Sequence, residues 1–310
     1  MLLLCCSLYY EVYMAVYDCF LFFNEMDLLD IRLNTLTDCV DYYVVIEATK
    51  TFTQNQKPLY FKEHRSRFSS FLDKIIYVCV DDFPNTDNPW DIEIHQRNAI
   101  LRGLENCNND DVIMISDCDE IPNPTTVKQI RNMDLSAVVS LPLFMCYYYM
   151  NNLNVTAPYW YRFMATNYSV LVDLLPQGVR MSQLSELHIK QSDGLLPGWH
   201  MSCLNGPEGI REKMNAVSHQ EYNTEEYVNE DYLRMCIENG IDFVKRPFQY
   251  LPIDEKVFLP EYVVKNAYRY KKMIYPFEEL AKEIQNGNMK IYDDILKYTY
   301  TEAYSLYMMS

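Results

Sequence analysis

Two carboxylates one residue apart, Asp117 and Asp119, are the residues of this chain whose types and spacing most directly suggest chemistry. They follow the apolar, mostly β-branched run 112–115, which predicts a buried strand with the carboxylates at its carboxyl end, where open α/β sheets bind their ligands. Neighbouring carboxylates repel each other unless a positive charge lies between them, and Mg²⁺ or Mn²⁺ is the usual neutraliser. Such an ion keeps open positions for phosphates, so the pattern predicts a metal and diphosphate site. The alternative is an acidic, solvated turn closed by Pro122.

Polar residues also lie near the ends of two other predicted elements. Glu47 ends a predicted strand, where it could cap a neighbouring backbone or contact a nucleotide. Glu93 and Arg97 are four residues apart on a predicted helix, which is the spacing of an ordinary ion pair.

Three residues in the later half of the chain could accept or donate a proton. Glu208 lies in the first turn of a predicted helix, where it could act as a general base, although helix electrostatics alone also favours a carboxylate there. His200 follows Trp199 in a segment rich in glycine and proline, predicted as a loop. A lone histidine is more often structural than catalytic, but Glu208 and His219 are close to it in the sequence. His200 or His219 could also complete the coordination of a metal.

Strands alternate with helices over the first 120 or so residues, which predicts a doubly wound, mostly parallel sheet flanked by helices. The stretch from 137 to about 189 has strand-like segments separated by turn residues and predicts an antiparallel part. One α/β domain with a helical C-terminal tail is the simplest architecture. The predicted strands cover 15–23, 42–47 and 75–80, and the predicted helices cover 24–37, 90–106, 207–218 and 224–238.

Composition excludes several functional classes. The 310 residues are 49% hydrophobic and 14% aromatic, enough for a large core. A net charge of -16 argues against a nucleic-acid partner, which would need a basic face. The ten cysteines form no Cys-x-x-Cys pair, so we expect reduced thiols. Residues 1–13 contain no Lys or Arg and meet Glu11 early, so we expect no signal peptide, no membrane span and a cytoplasmic protein.

Several motifs occur in an order that closely resembles glycosyltransferase family 17, from about Tyr17 to Pro276. They are Phe23-Asn24-Glu25-x-Asp27-Leu28-Leu29-x-Ile31-Arg32-Leu33-Asn34, Val44-Val45-Ile46-Glu47-Ala48, Lys57-Pro58-Leu59, Gln96-Arg97-Asn98, Ser116-Asp117-Cys118-Asp119-Glu120-Ile121-Pro122, Gly198-Trp199-His200-x-Ser202, and Pro207-Glu208-Gly209-Ile210 with Lys213. No single motif is diagnostic; their order carries the resemblance.

The resemblance implies a GT-A-like domain over 14–276, with an N-terminal extension at 1–13 and a helical extension at 277–310. It further implies an inverting transferase that uses Mn²⁺ or Mg²⁺ and a nucleotide sugar, UDP-N-acetylglucosamine, with a glycan acceptor. Metal ligands are expected at Asp117, Asp119 and His219, and catalytic roles at Glu208 and His200. The residues expected to bind the donor are Glu47, Arg97, Asp117, Gly198, Trp199 and Lys213.

One feature limits what the resemblance implies, and one alternative function stays open. The region from about Cys146 to Lys190 matches weakly, so the linkage formed could differ from that of the family's animal enzymes. A nucleotide-sugar or glycan-binding protein that has kept the fold without turnover is the alternative function.

Overall fold

A ten-stranded mixed sheet organises the chain in a computed structural model, which describes residues 14–182 and 196–277. Eight strands follow one another in the order β10-β7-β6-β8-β4-β1-β2-β3, while β9 pairs with β6 and β5. The strands are β1 (Val16–Phe22), β2 (Tyr42–Ala48), β3 (Ile75–Val80), β4 (Val112–Asp117), β5 (Glu120–Ile121), β6 (Val139–Tyr147), β7 (Asn152–Asn154), β8 (Tyr159–Asn167), β9 (Gly198–Ser202) and β10 (Tyr250–Pro252).

Helices connect the strands and cover the sheet. They are α1 (Met26–Leu36), α2 (Tyr60–Glu63), α3 (Pro89–Asn98), α4 (Pro124–Ile130), α5 (Tyr168–Arg180), α6 (Gly206–Ala216), α7 (Glu225–Val228), α8 (Glu230–Asn239), α9 (Glu255–Phe258) and α10 (Glu261–Lys265). Short 3-10 helices occupy Arg65–Phe71, Ala99–Gly103 and Gln220–Tyr222.

The predicted mixed sheet with helices on both faces is confirmed. Strands β1 to β4 are parallel, whereas β8 runs antiparallel to both β4 and β6. Alternate residues of β1 enter two separate cores: Phe20 packs with the side chains of α1, and Cys19 packs with Ile100 and Leu171. Because both faces of the central strands are buried, their sequences are almost continuously apolar.

Four predictions of secondary structure need correction. The segment predicted as a loop around Trp199 contains β9, a buried strand. The helix α5 was not predicted at all. The helix predicted over 90–106 ends at Asn98 and continues as a 3-10 helix, and the helix predicted over 224–238 is interrupted at Asn229, whose side chain caps α8.

Parts of the predicted architecture lie outside the described residues, namely the extension at 1–13 and all but the first residue of the tail at 277–310. Among the described helices, none has both the length and the apolar character that a bilayer crossing requires. The eight cysteines within the described ranges are free thiols.

Candidate active site

The turn from Asp117 to Glu120 joins β4 to β5, and a core arginine fixes its backbone. Arg32 of α1 is fully buried and donates to the carbonyl oxygens of Asp117 at 3.0 Å and Glu120 at 2.5 Å. Its guanidinium also binds both oxygens of buried Asp18, at 2.7 and 2.5 Å. The turn is therefore tied to the interior of the protein before any ligand is present.

Two arginines hold the side chain of Asp117. Arg97 of α3 donates to Oδ1 at 3.1 Å, and Arg180, the last residue of α5, donates to Oδ2 at 2.8 Å. Burial disfavours the charged carboxylate, but the two guanidinium groups outweigh it and keep the pKa of Asp117 well below its usual range. Asp117 is thus ionised, and 37% of its side chain is exposed to solvent.

Arg180 also binds Glu120, which sequence analysis did not single out. Its two terminal nitrogens contact the two carboxylate oxygens at 2.6 and 2.7 Å, and the guanidinium donates to the carbonyl of Arg162. The indole N–H of Trp160 donates to Glu120 Oε1 at 2.6 Å. Because the Glu120 side chain is only 1% exposed, this carboxylate supports the site from within.

Asp119 is buried and contacts a different set of partners. Lys213 Nζ of α6 lies 2.7 Å from Oδ2, and the Ser202 hydroxyl donates to the same oxygen at 3.0 Å. Burial opposes its ionisation, but Lys213 and then His200 lower the pKa of Asp119. Its other oxygen, Oδ1, accepts no hydrogen bond within the described part of the chain.

Strand β9 explains why His200 reaches the site and Trp199 does not. Side chains alternate along a strand, so His200 and Ser202 face Asp119 while Trp199 faces the core. His200 Nε2 lies 3.8 Å from Asp119 Oδ2, and its buried Nδ1 has no hydrogen-bond partner in the described part of the chain. Burial lowers the pKa of His200 more than the nearby carboxylates raise it, so the imidazole is neutral at pH 7.

Trp199 and Gly198, which were expected to bind the donor, make contacts within the fold. The Trp199 indole N–H donates to the carbonyl of Phe258 at 2.7 Å. At Gly198, a Cβ atom would lie 2.6 Å from Cα of Pro122. Gly198 therefore allows β9 to pack against the segment that follows β5, and neither residue offers a side-chain group to a ligand in this geometry.

Glu47 caps a helix, which is one of its two predicted roles. Its carboxylate accepts from the backbone N–H groups of Phe61 at 2.9 Å and Lys62 at 3.3 Å in the first turn of α2. It also accepts from the hydroxyl of Tyr77 at 2.8 Å. A carboxylate at a helix amino terminus is favoured by the helix dipole, so the contacts of Glu47 are accounted for without a nucleotide.

Glu208 and His219 lie apart from the contacts of the two aspartates. Glu208 is exposed in the first turn of α6 and has no hydrogen-bond or ion-pair partner among the described residues. His219 contacts Glu221 at 2.6 Å and packs edge-on against Trp90. His219 has no contact with Asp117 or Asp119 in the described chain, so the geometry does not support it as a third metal ligand.

Glu25 is a further carboxylate of the site that sequence analysis named only within a motif. It follows β1, and its Oε2 accepts from the backbone N–H groups of Phe23 and Asn24 at 2.9 and 3.0 Å. Burial raises the pKa of Glu25, and the charge of Asp119 raises it further. Its place after β1, beside the end of β4, is the only sequence signal that could have identified it.

Comparison with known proteins decides the family. The model of glycosyltransferase family 17 matches residues 5–277, which is most of the chain. The chain belongs to glycosyltransferase family 17. The predicted resemblance is confirmed.

Curated relatives of this family 17 chain carry the name beta-1,4-mannosyl-glycoprotein 4-beta-N-acetylglucosaminyltransferase. The protein of Rattus norvegicus is 24% identical over 311 residues, which cover 85% of this chain and 55% of the relative. The protein of Homo sapiens is 25% identical over 311 residues, which cover 85% of this chain and 56% of the relative. The chain thus spans about half the length of the curated relatives it matches.

Among solved structures, the family 17 chain is similar to the mannosyltransferase PcManGT from Pyrobaculum calidifontis, which was solved with GDP-Man and Mn²⁺. The TM-score is 0.38 and the sequence identity is 11%, with 96% of this chain and 86% of that chain covered.

The charge balance of the family 17 site corrects one step of the sequence argument. Arg97, Arg180 and Lys213 already neutralise Asp117 and Asp119, so repulsion between the carboxylates does not by itself require a metal. The described residues contain no group of three or more metal-ligating side chains. The two aspartates nevertheless fit a hard cation that shares its coordination with phosphates, because Asp119 Oδ1 accepts no hydrogen bond from the described residues and Asp117 is open to solvent.

Proposed function

We propose that this chain is an inverting, metal-dependent glycosyltransferase that moves N-acetylglucosamine from UDP-N-acetylglucosamine to a hydroxyl of a glycan acceptor. The observation that carries the proposal is the placement of Asp117 and Asp119 at the carboxyl end of β4, surrounded by cationic side chains. Carboxylates at this edge suit a hard divalent ion, and the surrounding cations suit a diphosphate. Family membership and the names of the relatives support sugar transfer with N-acetylglucosamine as the sugar.

The cations differ in their freedom to follow a donor. Lys213 is 31% exposed, so its ammonium can turn from Asp119 to a phosphate oxygen by side-chain rotation alone. Arg97 is fixed by Glu93 at 2.8 Å and Gln177 at 2.6 Å, so it offers a charge of constant position. Mn²⁺ or Mg²⁺, held by Asp117 and Asp119, would offset the charge of the leaving diphosphate.

Glu208 is the proposed proton acceptor. In a single inverting displacement, the acceptor oxygen bonds to the anomeric carbon while the bond from that carbon to the diphosphate breaks. The proton of the acceptor hydroxyl must pass to a base on the face opposite the leaving group. The carboxylate of Glu208, which has no partner among the described residues, can accept it, whereas His200 is buried beside Asp119 and is assigned to the support of that carboxylate.

The decisive experiment incubates the purified protein with Mn²⁺ and a panel of UDP- and GDP-sugars and measures nucleoside diphosphate release. Release from UDP-N-acetylglucosamine without an acceptor would establish turnover. Tight donor binding without any release would favour the alternative, a nucleotide-sugar-binding protein of the same fold.

The assignment of the base has its own test. Glu208→Gln should lower the rate of transfer by about a hundredfold or more while donor affinity survives. Glu212→Gln, an exposed carboxamide substitution on the same helix, is the matched control and should leave the rate unchanged. If Glu208→Gln keeps its activity and His200→Ala loses turnover with donor affinity intact, the two roles are reversed.

A further inference from the structure

Tyr147 lies on the same face of the sheet as the residues that bind Asp119. Strands β6 and β9 are parallel, with Met145 opposite His200 and Tyr147 opposite Ser202. Paired residues of neighbouring strands project to the same side, and Ser202 on that side donates to Asp119. The ring of Tyr147 meets the ring of His200 edge-on, with centroids 6.3 Å apart.

Tyr147 is held in place by Tyr250, Arg246 and Asp242, and these four residues are called the wall below. Its ring is stacked on that of Tyr250, with centroids 5.1 Å apart and an interplanar angle of 7°. Arg246 Nη2 donates to the Tyr147 hydroxyl at 3.3 Å and binds buried Asp242 at 2.6 Å. Asp242 also accepts from the Tyr250 hydroxyl at 3.0 Å. These contacts fix the Tyr147 ring without any ligand.

The wall still offers polar atoms to a ligand. Arg246 Nη1 donates no hydrogen bond within the described chain, and 34% of the Arg246 side chain is exposed. Burial raises the pKa of Tyr147 to about 12, so its phenol stays protonated. The half-buried ring of Trp160 also contacts His200, with its centroid 4.7 Å from that of the imidazole.

We infer that Tyr147, Trp160 and Arg246 form the subsite that binds the acceptor sugar ring; the inference rests on the proposed function. A sugar presents C–H groups on its faces and hydroxyls on its edge. Half-buried aromatic rings pack against the C–H faces, and the N–H groups of Arg246 Nη1 suit the hydroxyls. The subsite adjoins Asp119 through Ser202 and His200, so a bound sugar lies beside the donor site.

The charge balance of the wall favours an uncharged sugar as the ligand. Arg246 is paired with Asp242, whose side chain is fully buried, so the pair adds no net charge to the subsite. A phosphate or a carboxylated sugar loses hydration free energy on binding, and only an unpaired cation in the subsite would offset that loss. The ligand class is therefore a neutral saccharide.

The test separates acceptor binding from donor chemistry. The full chain is assayed with UDP-N-acetylglucosamine and Mn²⁺, either alone or with the methyl glycosides of mannose, glucose, galactose and N-acetylglucosamine. Tyr147→Leu should raise the acceptor KM by about tenfold or more and leave acceptor-free hydrolysis within about twofold of the wild type. Tyr161→Leu is the matched control, because Tyr161 follows Trp160 on β8 and projects to the opposite face.

Two other variants and a binding measurement cover the remaining cases. If Tyr147→Leu does not fold, Tyr147→Phe, which removes only the hydroxyl, and Arg246→Lys, which removes only the guanidinium, test the polar contacts of the subsite with less loss of packing. An unchanged acceptor KM, an equal rise in donor KM, or hydrolysis that no glycoside diverts to transfer overturns the subsite. If the wild type neither hydrolyses nor transfers, the proposed function fails, and saturation-transfer NMR with the same glycosides still judges the subsite. Loss of binding in Tyr147→Leu would support it, and absence of binding to the wild type would overturn it.

Discussion

Replacing Arg180 by Met should destabilise the fold far more than a surface ion pair of similar geometry would. Met is shorter than Arg but retains an unbranched apolar stem, and it removes the guanidinium that joins Glu120 to Asp117. Removal of one partner of a buried ion pair leaves an uncompensated charge, which costs about 3 to 5 kcal/mol. The Glu120 side chain is 1% exposed and that of Arg180 is 7% exposed, so this pair meets the condition.

The remaining contacts of the two carboxylates set the expected value. Glu120 keeps its hydrogen bonds from the indole N–H of Trp160 at 2.6 Å and from the backbone N–H of Asp117 at 3.0 Å. These contacts place the expected decrease in the free energy of unfolding at the lower end of the range of about 3 to 5 kcal/mol. Asp117 keeps Arg97 and is 37% exposed, so its share is at most about 1 kcal/mol. We expect a decrease of about 3 kcal/mol in the free energy of unfolding, which leaves most domains of ordinary stability folded.

Urea unfolding followed by circular dichroism measures this decrease. Arg102→Met is the matched control, because Arg102 binds both oxygens of Asp82 at 2.7 and 2.8 Å but is 41% exposed. That variant should lose at most about 1 kcal/mol. Combining Arg180→Met with Glu120→Gln should recover more than half of the loss, since no buried charge then remains.

A loss in Arg180→Met no larger than that in Arg102→Met would refute the reasoning, because burial of Glu120 would then contribute nothing. A double variant no more stable than Arg180→Met would show that the guanidinium acts through packing or through the Arg162 carbonyl instead of through charge.

Three further predictions follow from the same site. Asp119→Asn should abolish Mn²⁺-dependent binding of UDP in titration calorimetry, and unchanged UDP affinity would rule out its metal role. The same variant should lower the free energy of unfolding by about 1 to 3 kcal/mol, because the carboxylate is buried and accepts charge-assisted hydrogen bonds. Gly198→Ala should destabilise the fold by about 1 to 3 kcal/mol in urea unfolding, because its Cβ would overlap the backbone at Ile121, whereas Gly178→Ala has ordinary contacts and should be neutral or stabilising; equal effects would contradict this account. The folded-state pKa of His200 lies below its unfolded value, so the unfolded chain binds the proton more tightly and stability should fall as pH drops below about 6.5; in EDTA, His200→Gln should show a shallower decrease between pH 7.5 and 5.5, and identical slopes would exclude His200 as the cause.

The sequence predicts the parallel half of the fold well because its central strands, β1, β2 and β4, are buried on both faces. Continuous apolar runs identify β1 to β4, and their alternation with helices specifies the topology. The same pattern correctly placed Asp117 at the end of β4. Family membership is likewise confirmed, whereas the roles of the individual site residues remain predictions.

The second half was harder because local signals there contradict the tertiary structure. Helix α5 contains Pro176 and Gly178, residues typical of turns, and its backbone is kinked at Leu175, where φ is 63°. The missed helix concealed Arg180, which lies 63 residues after Asp117 in the chain. Gly198 likewise suggested a loop, although it permits the close approach of a strand.

The electrostatic argument failed for a related reason. Repulsion between two neighbouring carboxylates is visible in the sequence, but the cations that relieve it come from α3, α5 and α6. Only the folded chain brings them to one point. The sequence therefore identified Asp117 and Asp119 as acidic residues of the site, but it could not show that Arg97, Arg180 and Lys213 balance their charge.

The anchoring of the Asp117 to Glu120 turn by Arg32 also limits the motions available to the protein. A turn whose carbonyls are bound by a core guanidinium has little freedom to follow a substrate, and it can loosen only if α1 separates from the sheet. Its amide hydrogens should consequently exchange with solvent as slowly as those of β4. Within the described residues, the side chains best placed to move towards a donor are the exposed Glu208 and the partly exposed Lys213 of α6.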